Sequence, residues 1–328
     1  MDMDVIFLGT AGSVPTAGRA LSSVLIRRGG DRLLFDCGEG TQRQMMRSCG
    51  LADVEAIFLT HLHADHFLGL PGMLKTFGLR EREIPLVLAG PPGFAALTKL
   101  LRPIIGRLNY PVDLQEVEPG WKLPMSGYVI ESIATEHTVP SVGYRLREHD
   151  RPGRFDIERA HELGVPDGPL FGQLQRGATV TTEAGTDVTP DMVLGEPRTG
   201  RRVIFTGDTR ACAAVRDMSQ SATLLIHDST FCLDEQQRAV STGHSTAHDA
   251  ALTAAAADVG MLALTHISNR YAGRELLEEA REVFPNSICP RDFDQIELPY
   301  PERGEPQHVP GGGRASRGPA PATAASES

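Results

Sequence analysis

Apolar and polar positions along this chain follow two rhythms. Short β-branched, apolar runs recur at 5–8, 23–26, 33–35, 56–59, 86–89, 129–134, 203–205, 224–226 and 261–264, and read as buried strands. Longer segments at 40–48, 67–78, 94–105, 247–258 and 273–284 carry helical spacing. Strands cluster early and again late, with helices between them. This order predicts an α/β fold, a four-layer αβ/βα sandwich of two mixed sheets flanked by helices.

Two stretches break the pattern. Residues 148–199 are rich in Gly, Pro and charge, as in Arg151-Pro152-Gly153-Arg154, and are expected to project from the core as an arm. Residues 301–328 are dominated by Pro, Gly, Ala and Ser, a composition expected to give a disordered tail. The rest, 1–300, is expected to form one catalytic domain; 328 residues with 41% hydrophobic content suffice for a large core.

Composition narrows the setting. The apolar run at 5–8 is too short for a membrane span and is followed at once by Gly9, so neither secretion nor membrane insertion is expected. Five scattered cysteines without a Cys-x-x-Cys pair argue against a disulfide framework or a thiolate zinc site, and point to reduced thiols in the cytoplasm. The net charge of −10 gives no general attraction to phosphates. Binding of a polyanion would then depend on a local positive field such as a metal pair supplies.

The candidate chemistry begins after the 56–59 run, at His61-Leu62-His63-Ala64-Asp65-His66. Alternation along extended chain turns His61 and His63 to one side, and a following turn brings Asp65 and His66 near a helix start. Imidazole and carboxylate are the donors of hydrolytic zinc sites that keep a position open for water, and they suit manganese and iron as well. Three further strands each end in one such residue: His137, Asp208 and His266. Seven ligands suit two metals with Asp208 as the bridge, an arrangement that favours phosphoester hydrolysis.

These residues and their surroundings resemble the metallo-β-lactamase superfamily and, within it, the ribonuclease Z family of tRNA 3′-processing endonucleases. The likeness runs through Phe35-Asp36-Cys37-Gly38-Glu39-Gly40-Thr41-Gln42, Thr206-Gly207-Asp208-Thr209-Arg210, Gly243-His244-Ser245-Thr246 and His266-Ile267-Ser268-Asn269-Arg270-Tyr271. It implies one zinc on His61, His63 and His137, another on Asp65, His66 and His266, and Asp208 between them. It also implies a homodimer in which 148–199 is a flexible arm that clamps the elbow of precursor tRNA bound at the other subunit's site.

For the reaction, Asp65 is expected to orient the attacking water, and His244, paired with Asp228, to protonate the leaving 3′-oxygen. Family members place a glutamate where this chain has Asp228, one methylene shorter. His244 could instead be a structural residue at a helix entry, with Ser245 as the cap. Arg270, Ser245, Thr246 and Arg154 are candidate substrate contacts, although an ion pair would equally account for Arg270. Residues 145–176 hold six Arg against six Asp or Glu, so the arm is charged and not basic. The alternative reading is a superfamily phosphodiesterase for cyclic nucleotides or small diesters, which would have no use for a clamp.

Overall fold

The computed structural model describes residues 1–313. The chain lays down β1 (Met3–Gly9), β2 (Ser23–Arg28), β3 (Asp31–Phe35), β4 (Ala56–Phe58), β5 (Leu86–Gly90) and β6 (Val112–Glu116). It continues with β7 (Lys122–Met125), β8 (Tyr128–Ala134), β9 (Val142–Glu148) and a small hairpin of β10 (Val180–Thr181) and β11 (Asp187–Val188). Then come β12 (Arg202–Phe205), β13 (Leu224–Asp228), β14 (Leu262–Thr265), β15 (Ser287–Ile288), β16 (Gln295–Glu297) and β17 (Gln307–Val309).

Two large mixed sheets result, ordered β17-β16-β1-β2-β3-β4-β5-β6 and β15-β14-β13-β12-β9-β8-β7. Parallel pairing runs from β3 to β6 in the first and from β12 to β15 in the second. Each parallel step needs a crossover, and helices supply several of them. Both faces of each sheet are therefore covered, which is why the central strands read as continuous apolar runs without clean alternation.

Between the sheets the core is aromatic. The Phe35 ring stacks on Phe58 at 5.0 Å and meets Tyr144 and Phe205 across the layer at 5.9 and 5.8 Å. On the outer face of the first sheet, Leu8, Leu34, Ile57 and Leu88 pack with Met45, Leu74 and Phe94 of the helices Thr41–Arg47, Leu70–Leu79 and Phe94–Ile105. The second sheet is covered by Ala213–Met218, Ala247–Ala256 and Arg274–Val283, where buried Ala250, Ala251 and Ala254 let the middle helix come close. The four-layer expectation is met.

Three details differ from the sequence reading. The single helix expected at 67–78 is two, Ala64–Phe67 and Leu70–Leu79. The break falls at Gly69, whose N–H bonds the Cys37 carbonyl and where a Cβ would come within 2.2 Å of the Gly38 carbonyl oxygen. The 148–199 segment is not bare loop: it carries the helices Ile157–Glu162 and Pro169–Gln175, the β10–β11 hairpin and its own core of Ala160, Val165, Leu174, Val180, Val188 and Val193. Residues 301–313, assigned to a disordered tail, are built into the domain. Their strand β17 pairs with β16, and the Ser48 hydroxyl donates to the Gly313 carbonyl. The rest of that tail, 314–328, lies outside the described residues. Among the described residues, no helix is long and apolar enough to cross a membrane.

Candidate metal centre

The parallel strands β3, β4, β12, β13 and β14 all point their carboxyl ends at one edge of the sandwich, where sheets of this kind gather ligands. Asp36 follows β3, His61 follows β4, Asp208 follows β12, Asp228 ends β13 and His266 follows β14. His137 arrives from the end of β8, and the short helix after β4 delivers Asp65 and His66. Sequence positions more than 200 residues apart thus converge because the topology ends their strands together.

The structure brings all seven candidate ligands together. His61 Nε2 is 3.0 Å from His63 Nδ1, His137 Nε2 is 3.3 Å from His63 Nδ1, and Asp208 Oδ2 is 3.6 Å from His61 Nε2. A second group forms beside it: His66 Nε2 is 3.5 Å from Asp65 Oδ2, and His266 Nε2 is 3.3 Å from both Asp65 Oδ2 and Asp208 Oδ2. Two ligands on one tetrahedral zinc, each at ~2.0–2.1 Å, lie about 3.3 Å apart. The observed spacings are of the size that donors around a shared cation require, and Asp208 adjoins both groups, its other oxygen, Oδ1, lying 3.4 Å from His66 Nε2.

Tautomers test the fit. Thr60 Oγ1 gives its one proton to Asp36, so at 3.1 Å it accepts from His61 Nδ1–H. Thr230 Oγ1 likewise donates to Asp228 Oδ1 at 2.6 Å and accepts from His266 Nδ1–H at 2.8 Å. His66 Nδ1–H donates to Asp36 Oδ2 and His137 Nδ1–H to the Gly243 carbonyl, both at 2.7 Å. In their neutral forms four imidazoles therefore turn an unprotonated Nε2 toward the centre, as metal ligands held by outer partners do. His66 Nε2 and Asp208 Oδ1 are buried without a hydrogen-bond partner, an expensive state that a cation would relieve. The donor set fits divalent metal.

Electrostatics point the same way. Burial would push Asp208 up, but His266, His66 and His61 around it hold it well below the usual carboxylate range. Burial would push His66 down, yet Asp208 and Asp36 hold it well above an ordinary histidine. His61 and His137 are pushed down, mainly by burial. A cluster that competes for positive charge in this way binds cations and releases protons as it does so.

His244 closes the centre from the second sheet. Its Nδ1 donates to Asp228 Oδ2 at 2.8 Å, and its ring stacks on His266 with centroids 5.0 Å apart. Asp228 is fully buried and also accepts from Thr209 N–H, Thr230 N–H and Thr230 Oγ1, so the shorter carboxylate still reaches. His244 is aimed by Gly243, which ends the helix Gln236–Thr242 at φ 80°. A Cβ there would be 2.9 Å from His137 Nδ1, so only glycine satisfies both the turn and the approach.

Some candidate contacts are spoken for. Ser245 is buried and donates to the Thr209 carbonyl at 2.7 Å, so it is neither substrate contact nor helix cap. Thr246 is buried too, and forms the capping box of Ala247–Ala256 with Asp249. Arg270 is half exposed, pairs with Glu235 at 3.4 Å, and lines a 260 Å³ cavity with His244, Phe231 and Arg238. Arg154 lies exposed on the arm, away from these residues.

Sequence reading missed the supporting residues. Asp36 stood in a quoted motif without a role, yet it holds His66 and receives Thr60 N–H and Oγ1. The Ser13 N–H donates to Asp65 Oδ2 at 2.8 Å. Ser13, Asp36 and His266 all have φ between 56° and 59°, strained for these residues, and such outliers gather at functional sites. A strand ending in Asp36 was the available signal for the first; nothing in a serine's identity announces a backbone bond.

Fold and site together define a metal-dependent hydrolase of the metallo-β-lactamase superfamily, and the profile of the Metallo-beta-lactamase superfamily matches residues 17–266. The chain is 48% identical over 305 residues to a Ribonuclease Z of Haloferax volcanii, covering 92% of this chain and 96% of that one. It is 45% identical over 297 residues to a Ribonuclease Z of Myxococcus xanthus, covering 89% and 97%. The crystal structure of human tRNase Z, short form, superposes with a TM-score of 0.65 at 25% identity over 90% of this chain and 99% of that chain. The chain belongs to the ribonuclease Z family, and is a metal-dependent hydrolytic endoribonuclease.

Proposed function

We propose that this chain is a two-zinc endoribonuclease that removes the 3′ trailer of precursor tRNA. Cleavage 3′ of the discriminator region leaves a 3′-hydroxyl on the tRNA and a 5′-phosphate on the trailer. The observation that carries this reading is His244, fixed by Asp228 and facing the seven-donor cluster. The names of the relatives support tRNA as the substrate. His61, His63, His137 and Asp208 would hold one zinc, and Asp65, His66, His266 and Asp208 the other. Five imidazoles with two carboxylates suit zinc. When bound, such a pair acidifies water and neutralises charge on the phosphoryl oxygens.

The chain's own groups handle the protons. Asp65 Oδ2 is held by the Ser13 N–H and stays ionised through His266 and His66, although burial opposes this; it accepts the proton of the attacking water. Burial would lower His244, but the Asp228 carboxylate and then Asp208 raise it to about 9. At neutral pH it is thus a cation, with Nδ1–H given to Asp228 and Nε2–H free for the departing 3′-oxygen. The arm is read as the tRNA clamp of a cytoplasmic homodimer, each arm serving its partner's site; the arm's independent core supports its action as a rigid unit.

The test is a comparison of zinc-loaded full chain with a variant lacking 150–198, on 3′-extended precursor tRNA and on bis-p-nitrophenyl phosphate. Loss of tRNA cleavage with the small diester still hydrolysed supports the reading. Equal tRNA cleavage by both forms, or none by either, sinks it and leaves the small-diester enzyme.

A further inference from the structure

The root of the arm is locked by a buried ionic cage that no step at the metal centre uses. Glu148 ends β9 where the arm departs, and Arg201 precedes β12 where it returns; each is almost fully buried. Their main chains pair, with Glu148 N–H donating to the Arg201 carbonyl at 3.0 Å. Their side chains pair as well: Arg201 donates from Nε to Glu148 Oε2 and from Nη2 to Oε1, both at 2.8 Å. Arg28 of β2, in the opposite sheet, adds Nε to Glu148 Oε1 at 2.7 Å. Arg201 also donates to the main-chain carbonyls of Leu298 and Met1.

Above the cage, Tyr300 is gripped from two sides. The Arg201 guanidinium lies 4.1 Å and the Arg151 guanidinium 3.5 Å from its ring centroid. Arg151 and Arg198, the two sides of the arm's stalk, exchange backbone hydrogen bonds at 2.8 Å and both pair with Glu302. The stalk is thus tied to both sheets and to 298–303.

The geometry makes this a lever. The other end of β9 is at the metal centre, where Val142 N–H donates to the Thr60 carbonyl beside His61. Six extended steps lead from Val142 to Glu148, about 20 Å at ~3.3 Å each. A small angular error at the root would displace the arm's far end by ångströms while leaving the metal ligands untouched. A buried ion pair adds little net stability over a well-packed apolar substitute, but forked Arg–carboxylate bonds fix direction.

We propose that Arg28, Glu148, Arg201 and Tyr300 are positioning residues that set the angle of the arm, and so the affinity for the part of the RNA held far from the scissile bond. This rests on the reading of 148–199 as a tRNA clamp. The test uses full-length zinc-loaded protein with Arg28→Met and Tyr300→Leu, each beside its conservative partner, Arg28→Lys and Tyr300→Phe. Tyr300→Leu leaves every cage pair in place, so it reports even where a cage variant folds poorly. For Arg28→Met and Tyr300→Leu, KM for precursor tRNA should rise about 5-fold or more, within the roughly 2- to 30-fold range of such couplings. Hydrolysis of bis-p-nitrophenyl phosphate should stay unchanged, and Tyr300→Phe should restore the KM.

An unchanged KM for precursor tRNA, or a parallel loss on both substrates, would overturn the inference. Failure of the underlying reading is distinguishable: the variant lacking 150–198 would then cut precursor tRNA as well as the full chain.

Discussion

Replacing Asp228 by Asn removes one buried negative charge and alters almost nothing else in volume. The carboxylate is what opposes burial at His244 and raises it to about 9 from an ordinary 6.5. An acid must carry its proton to act, so activity falls as pH rises through the His244 pKa. At about pH 8, His244 with a pKa of about 9 is roughly 90% protonated; with a pKa near 6.5 it is about 3% protonated, a loss of roughly 30-fold. Bound zinc would lower both limbs together, so the quantity tested is their separation. The assay is kcat against pH on precursor tRNA for the two proteins, with zinc content measured in each. The alkaline limb of Asp228→Asn should fall at least about two pH units below that of the unaltered chain, with metal retained. Coincident limbs would refute the reasoning and leave His244 as a structural residue of the loop.

Other perturbations separate structure from chemistry. Thr246→Ala removes a helix cap and should cost about 1 kcal/mol, seen as a lower Tm, with kcat/KM nearly unchanged. Gly243→Ala forces a side chain into φ 80° and against His137 Nδ1, and should cost about 1–3 kcal/mol along with zinc affinity, measured by melting and by metal analysis. Asp208→Asn weakens the donor shared by both groups and should lower bound zinc and cut turnover by at least ~10²-fold. Zinc affinity should fall as pH is lowered, because His66, held high by Asp208 and Asp36, must give up its proton to bind; a zinc titration at several pH values reads this directly.

The convergence of the seven candidate ligands was legible because each carries its chemistry in its side chain and stands at the end of a recognisable apolar run. Asp228 and His244 were legible by resemblance, and the structure pairs them at 2.8 Å despite the shortened carboxylate. What holds these residues was not legible. The proton order through Thr60 and Thr230 depends on contacts that only the folded edge creates. Ser245 and Thr246 looked like substrate contacts because they adjoin His244, but both turn inward.

The arm's core escaped notice for another reason. Val165, Leu174, Val180, Val188 and Val193 fall in or beside separate short elements, and no periodicity links them. Strand β17 was masked by the Pro/Gly-rich composition on either side of it. Strand β9 does alternate, with Val142, Tyr144 and Leu146 inward, but it runs straight into the charged segment that begins the arm.

The most direct test of the central claim is to map the ends produced when zinc-loaded protein cuts a 3′-extended precursor tRNA. Attack by water with His244 protonating the 3′-oxygen predicts one cut at the discriminator region, a tRNA 3′-hydroxyl and a trailer 5′-phosphate. A tRNA 3′-phosphate with a trailer 5′-hydroxyl, or no cut in precursor tRNA, would contradict it.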